Sequence, residues 1–286
     1  MVLEHIFPED WLEKKSLYAF ILGAAYSIIG IILAKLLFPA DPALVAVAFT
    51  SLLILPELYK MFSLEEKVEE KEKTFDLRKL LKDNKDFIKT YLLIAAGIFV
   101  IYALASTILP SFQVNDLFRE QMEMRGASGG AVFSQGLFID ILYNNIWVLI
   151  ACFLISLLTG DGAIFLITWN ASMWGTIFGV TARNAAFYTN ANPFVYLALV
   201  IVIVFPHAFL EILSYVVAAI SGGVISKDVL LEKFESKRFN KVFTYNFWLF
   251  VIAIVILIIG ALVETYVLGN VGLYQQIISQ SYLAGF

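Results

Sequence analysis

The feature that most constrains this chain is a series of long apolar stretches, each close to the length of a membrane-crossing helix. The hydrocarbon core of a bilayer is about 30 Å thick and a helix rises about 1.5 Å per residue, so one crossing needs ~20 apolar residues. Seven stretches reach or approach that length: 17–38, 42–61, 90–109, 137–158, 163–181, 194–225 and 242–267. The sequence therefore predicts an all-α, polytopic integral membrane bundle of about seven transmembrane helices.

Composition supports a membrane protein and narrows the classes of partner. Hydrophobic residues make up 60% of the chain and charged residues 15%, against roughly 25% charged residues in soluble domains. The net charge of −4 gives no reason to expect a nucleic-acid partner. The single cysteine, Cys152, excludes an intrachain disulfide, and the sequence predicts no cofactor.

Basic residues predict how the chain is oriented, because cytoplasmic loops are enriched in Lys and Arg. With the N-terminus inside and seven crossings, sixteen of the 20 basic residues fall on the cytoplasmic side. The other four are Lys35, Arg119, Arg125 and Arg183. The sequence therefore predicts a multi-pass protein of the cell membrane with a cytoplasmic N-terminus and an extracytoplasmic C-terminus. This division of basic residues also predicts that the long sixth stretch crosses the membrane once, because the five basic residues that follow it, between 227 and 241, would otherwise lie outside the cytoplasm.

Three regions are predicted along the chain. Residues 1–62 form an N-terminal pair of transmembrane helices, and the charged residues 63–89 form a cytoplasmic amphipathic helix near the membrane. Residues 90–286 form the main transmembrane bundle. Within it, residues 111–136 are interpreted as a polar loop and the segment after 268 as a short, uncharged tail.

Several polar residues interrupt the apolar stretches. Polar groups in lipid have to find hydrogen-bond partners inside the protein, so these side chains are expected to face inward and toward one another. Glu264 lies near the outer end of the seventh stretch and is expected to reach interfacial water. The predicted polar intramembrane core consists of Asn144, Asn145, Asn170, His207 and Glu211.

The sixth stretch contains the sequence VFPHAFLEI at 204–212. A proline suits the first turn of a helix, where its missing N–H costs little. The sequence therefore predicts a helix broken at Pro206 that restarts with His207 and Glu211, four residues apart, on one face. Glu211 would accept a hydrogen bond from His207 or from an asparagine amide of a neighbouring helix.

Three interpretations of this polar core remain open from the residues alone. It is a structural hydrogen-bond core, a proton or ion pathway, or a site for another small polar ligand. A metal site needs three or four ligands, whereas one histidine and one glutamate are within reach, so no metal site is predicted. Cys152 has no evident base beside it, and the sequence predicts no enzymatic activity.

Small residues suggest close helix contacts in the fifth stretch. Gly175 and Gly179 form a G-x-x-x-G pattern, whose spacing lets two helices approach closely. The pair serves either packing within the bundle or a homodimer contact between two copies of the chain.

The order of these motifs resembles the stage II sporulation protein M family. An Asn-Asn pair is followed by W-N-A-x-x-x-G-x-x-x-G, by P-H-x-x-x-E and by a Gly-Gly pair, all within residues 133–223. The matching positions are Asn144, Asn145, Asn170, Gly175, Pro206, His207, Glu211, Gly222 and Gly223. Ala171 and Ala208 depart from the pattern, since glycine is usual at both places in the family, and both changes keep a small side chain.

The resemblance implies a polytopic membrane protein with no known catalysis of its own. The namesake anchors peptidoglycan-degrading partners at the septal membrane of spore-forming bacteria, and relatives also occur in organisms that make no spores. The expected function is a non-enzymatic membrane scaffold or membrane-remodelling component that acts through membrane or envelope protein partners in the lipid bilayer. The alternative is an ion- or proton-coupled small-molecule transporter or channel that uses the His207/Glu211 site.

Overall fold

The computed structural model describes residues 17–69, 84–128, 136–231 and 237–283, and within these ranges it contains helices and no strand. The helices are α1 (Leu17–Leu37), α2 (Ala43–Glu69), α3 (Lys85–Ile108), α4 (Ser111–Leu117), α5 (Arg119–Ser128), α6 (Leu137–Thr159), α7 (Ile164–Thr189), α8 (Pro193–Leu231), α9 (Lys237–Asn270) and α10 (Gly272–Leu283). The predicted all-α membrane bundle is confirmed.

Six of these helices, α1, α3, α6, α7, α8 and α9, are long and apolar enough to cross a membrane. The seventh predicted crossing corresponds to α2, whose apolar part, Ala43–Tyr59, is shorter than the ~20 residues of a full span. α2 packs against α1, which is itself long enough to cross the membrane.

Local chain chemistry sets where the helices end. Leu109, which precedes Pro110, is extended at ψ 146°, as expected for a residue before proline, and ends α3. Gly160 ends α6 with φ 83°, and Asn190 ends α7 in the left-handed conformation with φ 55°. Glycine and asparagine are the residues that most readily adopt positive φ at a helix C-terminus.

The bundle is organised around α8, which packs against α3, α6, α7 and α9. α7 and α8 form a helical hairpin that turns at residues 190–192. The end of the bundle with this turn is called the hairpin end. The opposite end, where α3 begins with Lys85 and Lys89, is called the lysine end.

The α7–α8 hairpin projects beyond its neighbours. Gly179 of α7 packs beside Ser106, in the last turn of α3, yet α7 continues about ten residues further, or roughly 15 Å. On the other arm, Asn145 is bonded to Glu211. α6 begins eight residues before Asn145, whereas α8 begins 18 residues before Glu211. On the hairpin side of this pair, α8 is therefore longer than α6 by about ten residues, or again roughly 15 Å. The hairpin turn therefore stands roughly 12 Å past the end of α3 and roughly 15 Å past the start of α6.

Pro206 does not break the sixth membrane segment. α8 is one helix of 39 residues with Pro206 inside it, so the predicted restart at this proline is corrected. The proline removes the hydrogen bond to the carbonyl of Val202, and neighbouring helices allow such a proline to be tolerated within a membrane helix. His207 and Glu211 consequently occupy the middle of a continuous helix and not its first turns.

Two segments predicted to be irregular are helical. The predicted polar loop 111–136 contains α4 and α5, and its residues Val114 and Phe118 are fully buried. These two side chains are four residues apart on one face, and the Phe118 ring centroid lies 5.0 Å from that of Tyr102. The uncharged tail forms α10, which packs against α7. Most of the predicted cytoplasmic helix, residues 70–83, lies outside the described residues.

Candidate functional site

The centre of the predicted polar core is Glu211, near the middle of α8. Its carboxyl oxygen Oε1 accepts a hydrogen bond of 3.0 Å from Nδ2 of Asn145 on α6. The Asn145 carbonyl oxygen in turn accepts a 3.1 Å hydrogen bond from Nδ2 of Asn144. Glu211 and Asn145 are both buried, whereas Asn144 is exposed at the edge of the cluster. One interhelical hydrogen bond therefore joins α6 to α8 at this point.

Glu264 belongs to the same cluster. Its carboxyl group lies close to that of Glu211 and its side chain is partly buried, so it faces this cluster and does not simply reach interfacial water as expected from the sequence. An ionised carboxylate only accepts hydrogen bonds, so a bond between the two groups requires that one of them carries a hydrogen. The Oε2 atom of Glu264 is buried and has no hydrogen-bond partner within the described ranges.

A glycine allows α9 to bring Glu264 to this position. Gly260 lies one helical turn before Glu264, and a Cβ atom on it would stand 3.2 Å from Cβ of Leu210 and 3.6 Å from the backbone nitrogen of Glu211. The missing side chain thus lets α9 approach α8 closely. The sequence did contain one signal for this position, namely a carboxyl group inside an apolar helix. It did not reveal the register of α9 against α8, which brings this carboxyl group to Glu211.

His207 lies on α8 four residues before Glu211 and is buried. In the part of the chain that the structure describes, its Nδ1 atom has no hydrogen-bond partner. The Glu211 carboxyl group instead accepts its hydrogen bond from Asn145 and lies close to the carboxyl group of Glu264. Of the two donors predicted for Glu211, the structure therefore shows the asparagine amide and, among the described residues, no bond from His207, although both His207 and Glu211 are buried.

Asn170 is buried in α7 but is bonded within its own helix. Its Nδ2 atom donates a 2.8 Å hydrogen bond to the carbonyl oxygen of Leu166, four residues earlier. Short polar side chains often form such bonds to the preceding turn. The asparagine amide is therefore bonded within its own helix, and no hydrogen bond among the described residues joins it to the Glu211 cluster.

The predicted packing glycines face neighbouring helices of the same chain. A Cβ atom on Gly175 would lie 2.9 Å from Cβ of Tyr102 in α3, and one on Gly179 would lie 2.8 Å from Cβ of Ser106. The space beside both residues is therefore filled by α3.

The glycine pair at 222 and 223 lies against α6 and the turn that follows it. A Cβ atom on Gly222 would lie 3.0 Å from the backbone nitrogen of Leu157, and one on Gly223 would lie 2.6 Å from the carbonyl oxygen of Gly160. These glycines hold α6 and α8 in close contact on the lysine-end side of the polar cluster.

Further polar contacts were missed by sequence reasoning. The Ser221 hydroxyl donates a 2.6 Å hydrogen bond to the carbonyl oxygen of Asn246, which joins α8 to α9. Gln121 of α5 donates a 3.3 Å bond to the Ser172 hydroxyl of α7. Asn246 stands in a largely apolar stretch, which is a usable signal, whereas the contact of Gln121 depends on the unexpected helix α5.

The cluster of Asn145, Glu211 and Glu264 is called the Asn–Glu–Glu cluster. It joins three helices, α6, α8 and α9, through side chains that lie within a close-packed bundle. Across the described ranges, no group of three or more His, Cys, Asp or Glu side chains is placed to hold a metal ion. The chemistry available to the cluster is hydrogen bonding and the holding of a hydrogen between two carboxyl groups.

Comparison with known proteins identifies the family. The family model described as Stage II sporulation protein M matches residues 88–267, which is more than half of the chain and extends from α3 to α9. Searches of curated proteins and of solved structures found no match. The matched region contains the Asn–Glu–Glu cluster, the packing glycines and the projecting hairpin. On this match, and in agreement with the motifs in its sequence, the chain belongs to the stage II sporulation protein M family.

Proposed function

We propose that this protein is a non-enzymatic membrane scaffold that acts through protein partners, and that the partners dock on the projecting α7–α8 hairpin. The observation that carries the proposal is an exposed aromatic surface at the tip of this hairpin. Phe187 is 67% exposed, Tyr188 53% and Phe194 48%. These rings stand beyond the ends of α3 and α6, where the flanking helices no longer cover them.

One side of the hairpin is already covered by α10. The side chain of Ile277 is buried in a small apolar cluster with Ala185, Val200 and Val204. The surface formed by Phe187, Tyr188 and Phe194, here called the aromatic tip, is left open. Aromatic residues are enriched among the side chains that dominate protein–protein binding, so the aromatic tip suits a protein partner.

The Asn–Glu–Glu cluster supports a scaffold by fixing the helix that carries this surface. Glu211 and Asn145 are buried and bonded to each other, and Gly222 and Gly260 bring the adjoining backbones together. Interhelical hydrogen bonds in membranes contribute only ~1 kcal/mol each, but they define which helices meet and in what register. This arrangement supports a structural role for the cluster.

The distribution of basic residues predicts that the aromatic tip lies outside the cytoplasm. In the predicted orientation, the hairpin end is extracytoplasmic. The partner we propose is therefore a membrane or envelope protein with an extracytoplasmic part. Membrane remodelling, on this proposal, is performed by the assembled partners.

Site-specific photo-crosslinking tests the proposal. A photoreactive amino acid replaces Tyr188 in the full chain, which is irradiated in native membranes and analysed by mass spectrometry. Phe247 provides a matched control, because it is also an exposed aromatic residue (47%) but lies on α9 toward the lysine end. We expect a reproducible protein adduct from position 188 and lipid adducts from position 247. Lipid adducts alone at both positions would overturn the scaffold proposal.

A double substitution checks the same surface without a probe. Replacing Phe187 and Tyr188 by alanine removes two largely exposed rings, so the buried core of the fold is left intact. We expect the double variant to lose the crosslinked partner after co-purification, whereas Phe247→Ala retains it. Retention of the partner by the double variant would place the docking surface elsewhere and refute the assignment to the tip.

The contact between Glu211 and Glu264 favours one second candidate, a proton-coupled transporter. Two neighbouring carboxyl groups inside a membrane helix bundle are a feature of proton relays. Proteoliposomes containing the parent, Glu211→Gln, Glu264→Gln or His207→Ala protein are compared for proton flux. Flux in the parent that both glutamine variants abolish would favour transport over the scaffold. Equal absence of flux in all four folded proteins would exclude the transporter.

A further inference from the structure

A shallow groove lies on the membrane-facing surface between the first turns of α3 and the middle of α8. It is open to its surroundings, has a volume of about 450 Å³ and is lined by Lys85, Ile88, Lys89, Leu92, Leu93 and Phe209. This volume is within the ~300–1,000 Å³ typical of ligand pockets. The groove therefore has room for part of an elongated apolar molecule.

The lining changes character along the groove. Lys85, Lys89 and Leu93 are spaced four residues apart, so they form one row on the surface of α3. The two lysines stand at the start of the helix, while Leu92, Leu93 and Phe209 lie deeper along it. Because the apolar part of α3 begins after Lys89, the ammonium groups lie at the lysine-end interface and the apolar side chains lie in the hydrocarbon.

The two lysines differ from the other basic side chains that the structure describes. Lys35 forms a 2.6 Å ion pair with Asp116, and Arg119 forms one of 3.1 Å with Asp41. Lys85 and Lys89 are exposed and have no carboxylate partner among the described residues. Lys35 and Arg119 thus form ion pairs with carboxylates of the protein, whereas Lys85 and Lys89 form none with a described residue.

The remaining basic side chain and the nearest acidic residue do not alter this contrast. Arg183 donates a 2.7 Å hydrogen bond to the carbonyl oxygen of Leu109, so it too is engaged by the protein. Asp86 follows Lys85 in the chain but lies about 100° around the helix from it. It lies three residues before Lys89 and about 60° from it around the helix, but among the described residues no ion pair joins its carboxylate to either lysine.

We propose that this groove binds one anionic phospholipid of the leaflet at the lysine end. The phosphate group lies between the ammonium groups of Lys85 and Lys89, and one acyl chain runs along Leu92, Leu93 and Phe209. A basic pocket between helices at the membrane surface is suited to an anionic headgroup, and lysine stems reach from the apolar region to the interface. The chemistry of the groove, cationic at its mouth and apolar below, matches both parts of such a lipid.

Native mass spectrometry of the full chain in detergent measures this binding directly. Phosphatidylglycerol is titrated against phosphatidylcholine with the same acyl chains, so that only the headgroup charge differs. We expect the first anionic lipid to bind more tightly than the zwitterionic one. We expect Lys85→Gln/Lys89→Gln to weaken that first binding step roughly 30-fold, because both headgroup charges are lost. The charge-preserving Lys85→Arg/Lys89→Arg variant should retain most of the binding.

Two controls separate a groove from general attraction to a cationic surface. Lys35→Gln removes one lysine at the opposite end, whose ammonium is held by Asp116, and should leave lipid binding unchanged. Phe209→Ala shortens the apolar wall and should weaken binding of phosphatidylglycerol several-fold without changing surface charge. Equal binding of the two lipids, full binding by the double glutamine variant, or insensitivity to Phe209→Ala would each overturn the proposal.

Discussion

Replacement of Gly222 by alanine tests the close contact on which the geometry of the cluster rests. The added Cβ atom would overlap the carbonyl oxygen of Phe153 and would lie 3.0 Å from the backbone nitrogen of Leu157 and 3.1 Å from Cβ of Ser156. Two of these atoms belong to the backbone of α6 and the third is a Cβ atom fixed to that backbone. No side-chain rotation can therefore move them away from the added methyl group. Non-bonded heavy atoms prefer separations of about 3.5–4.0 Å. α6 and α8 must therefore separate by at least roughly 0.5 Å.

The same separation acts on the polar cluster further along the two helices. A rigid shift of about 0.5 Å would lengthen the 3.0 Å hydrogen bond between Asn145 and Glu211 toward the distance at which such a bond is lost. Overpacking costs about 1–3 kcal/mol, and an interhelical hydrogen bond in a membrane contributes about 0.6 kcal/mol on average. We therefore expect Gly222→Ala to lower the free energy of unfolding by roughly 2–4 kcal/mol.

Unfolding in mixed micelles provides the measurement. Sodium dodecyl sulfate is titrated into protein in a mild detergent, and tryptophan fluorescence reports the transition. Gly269→Ala is the matched control, because a Cβ atom on Gly269 meets nothing within 4 Å and alanine is the better helix former by about 1 kcal/mol. The control should unfold at an equal or higher fraction of dodecyl sulfate. If Gly222→Ala unfolds there as well, the reasoning from backbone overlap is refuted.

Three other outcomes follow from the same structure. Asn145→Ala removes the amide that donates to Glu211 and should lower the free energy of unfolding by about 1 kcal/mol in the same titration; unchanged stability would show that the bond contributes nothing. Glu264→Gln supplies an amide donor that needs no shared hydrogen, so it should be tolerated, whereas Glu264→Leu should destabilise; the reverse order would contradict the carboxyl contact. With a membrane-impermeant maleimide, Tyr188→Cys should react on intact cells and Lys85→Cys only after permeabilisation, and the opposite pattern would invert the predicted orientation.

The membrane part of the fold was predictable because bilayer thickness imposes a length on every crossing. The helical cores lie where the apolar stretches predict them. What extends beyond those stretches was not predictable, since polar residues are tolerated once a helix leaves the hydrocarbon. α7 continues from the predicted limit at 181 to Thr189, and its small residues Ala182, Ala185 and Ala186 are buried there. Their burial depends on neighbouring helices that a single stretch of sequence does not reveal.

The polar site was predictable in its members and less so in its pairing. Asn145 and Glu211 meet as expected, because a buried carboxyl group in a membrane bundle needs a donor. Asn170 and His207 were also expected to meet the glutamate, but an asparagine can equally bond to its own preceding turn. Glu264 was assigned to the interface because its position along α9 fits both an exposed and a buried carboxyl group. The register of α9 against α8, set beside Gly260, decides between them.

The cluster and the aromatic tip are linked mechanically because α8 carries both. Glu211 fixes the middle of α8 against α6, but that neighbour begins well below the hairpin turn. Beyond that level the hairpin is held by packing between its own arms and by α10, where the Tyr196 hydroxyl donates a 3.3 Å hydrogen bond to Gln280 and Ile277 is buried. A small change in the direction of α8 at the cluster is therefore carried to the tip, roughly 25–30 Å further along the helix axis. On the proposed function, a purely structural cluster would still be required for partner docking, because it sets the direction in which the docking surface is presented.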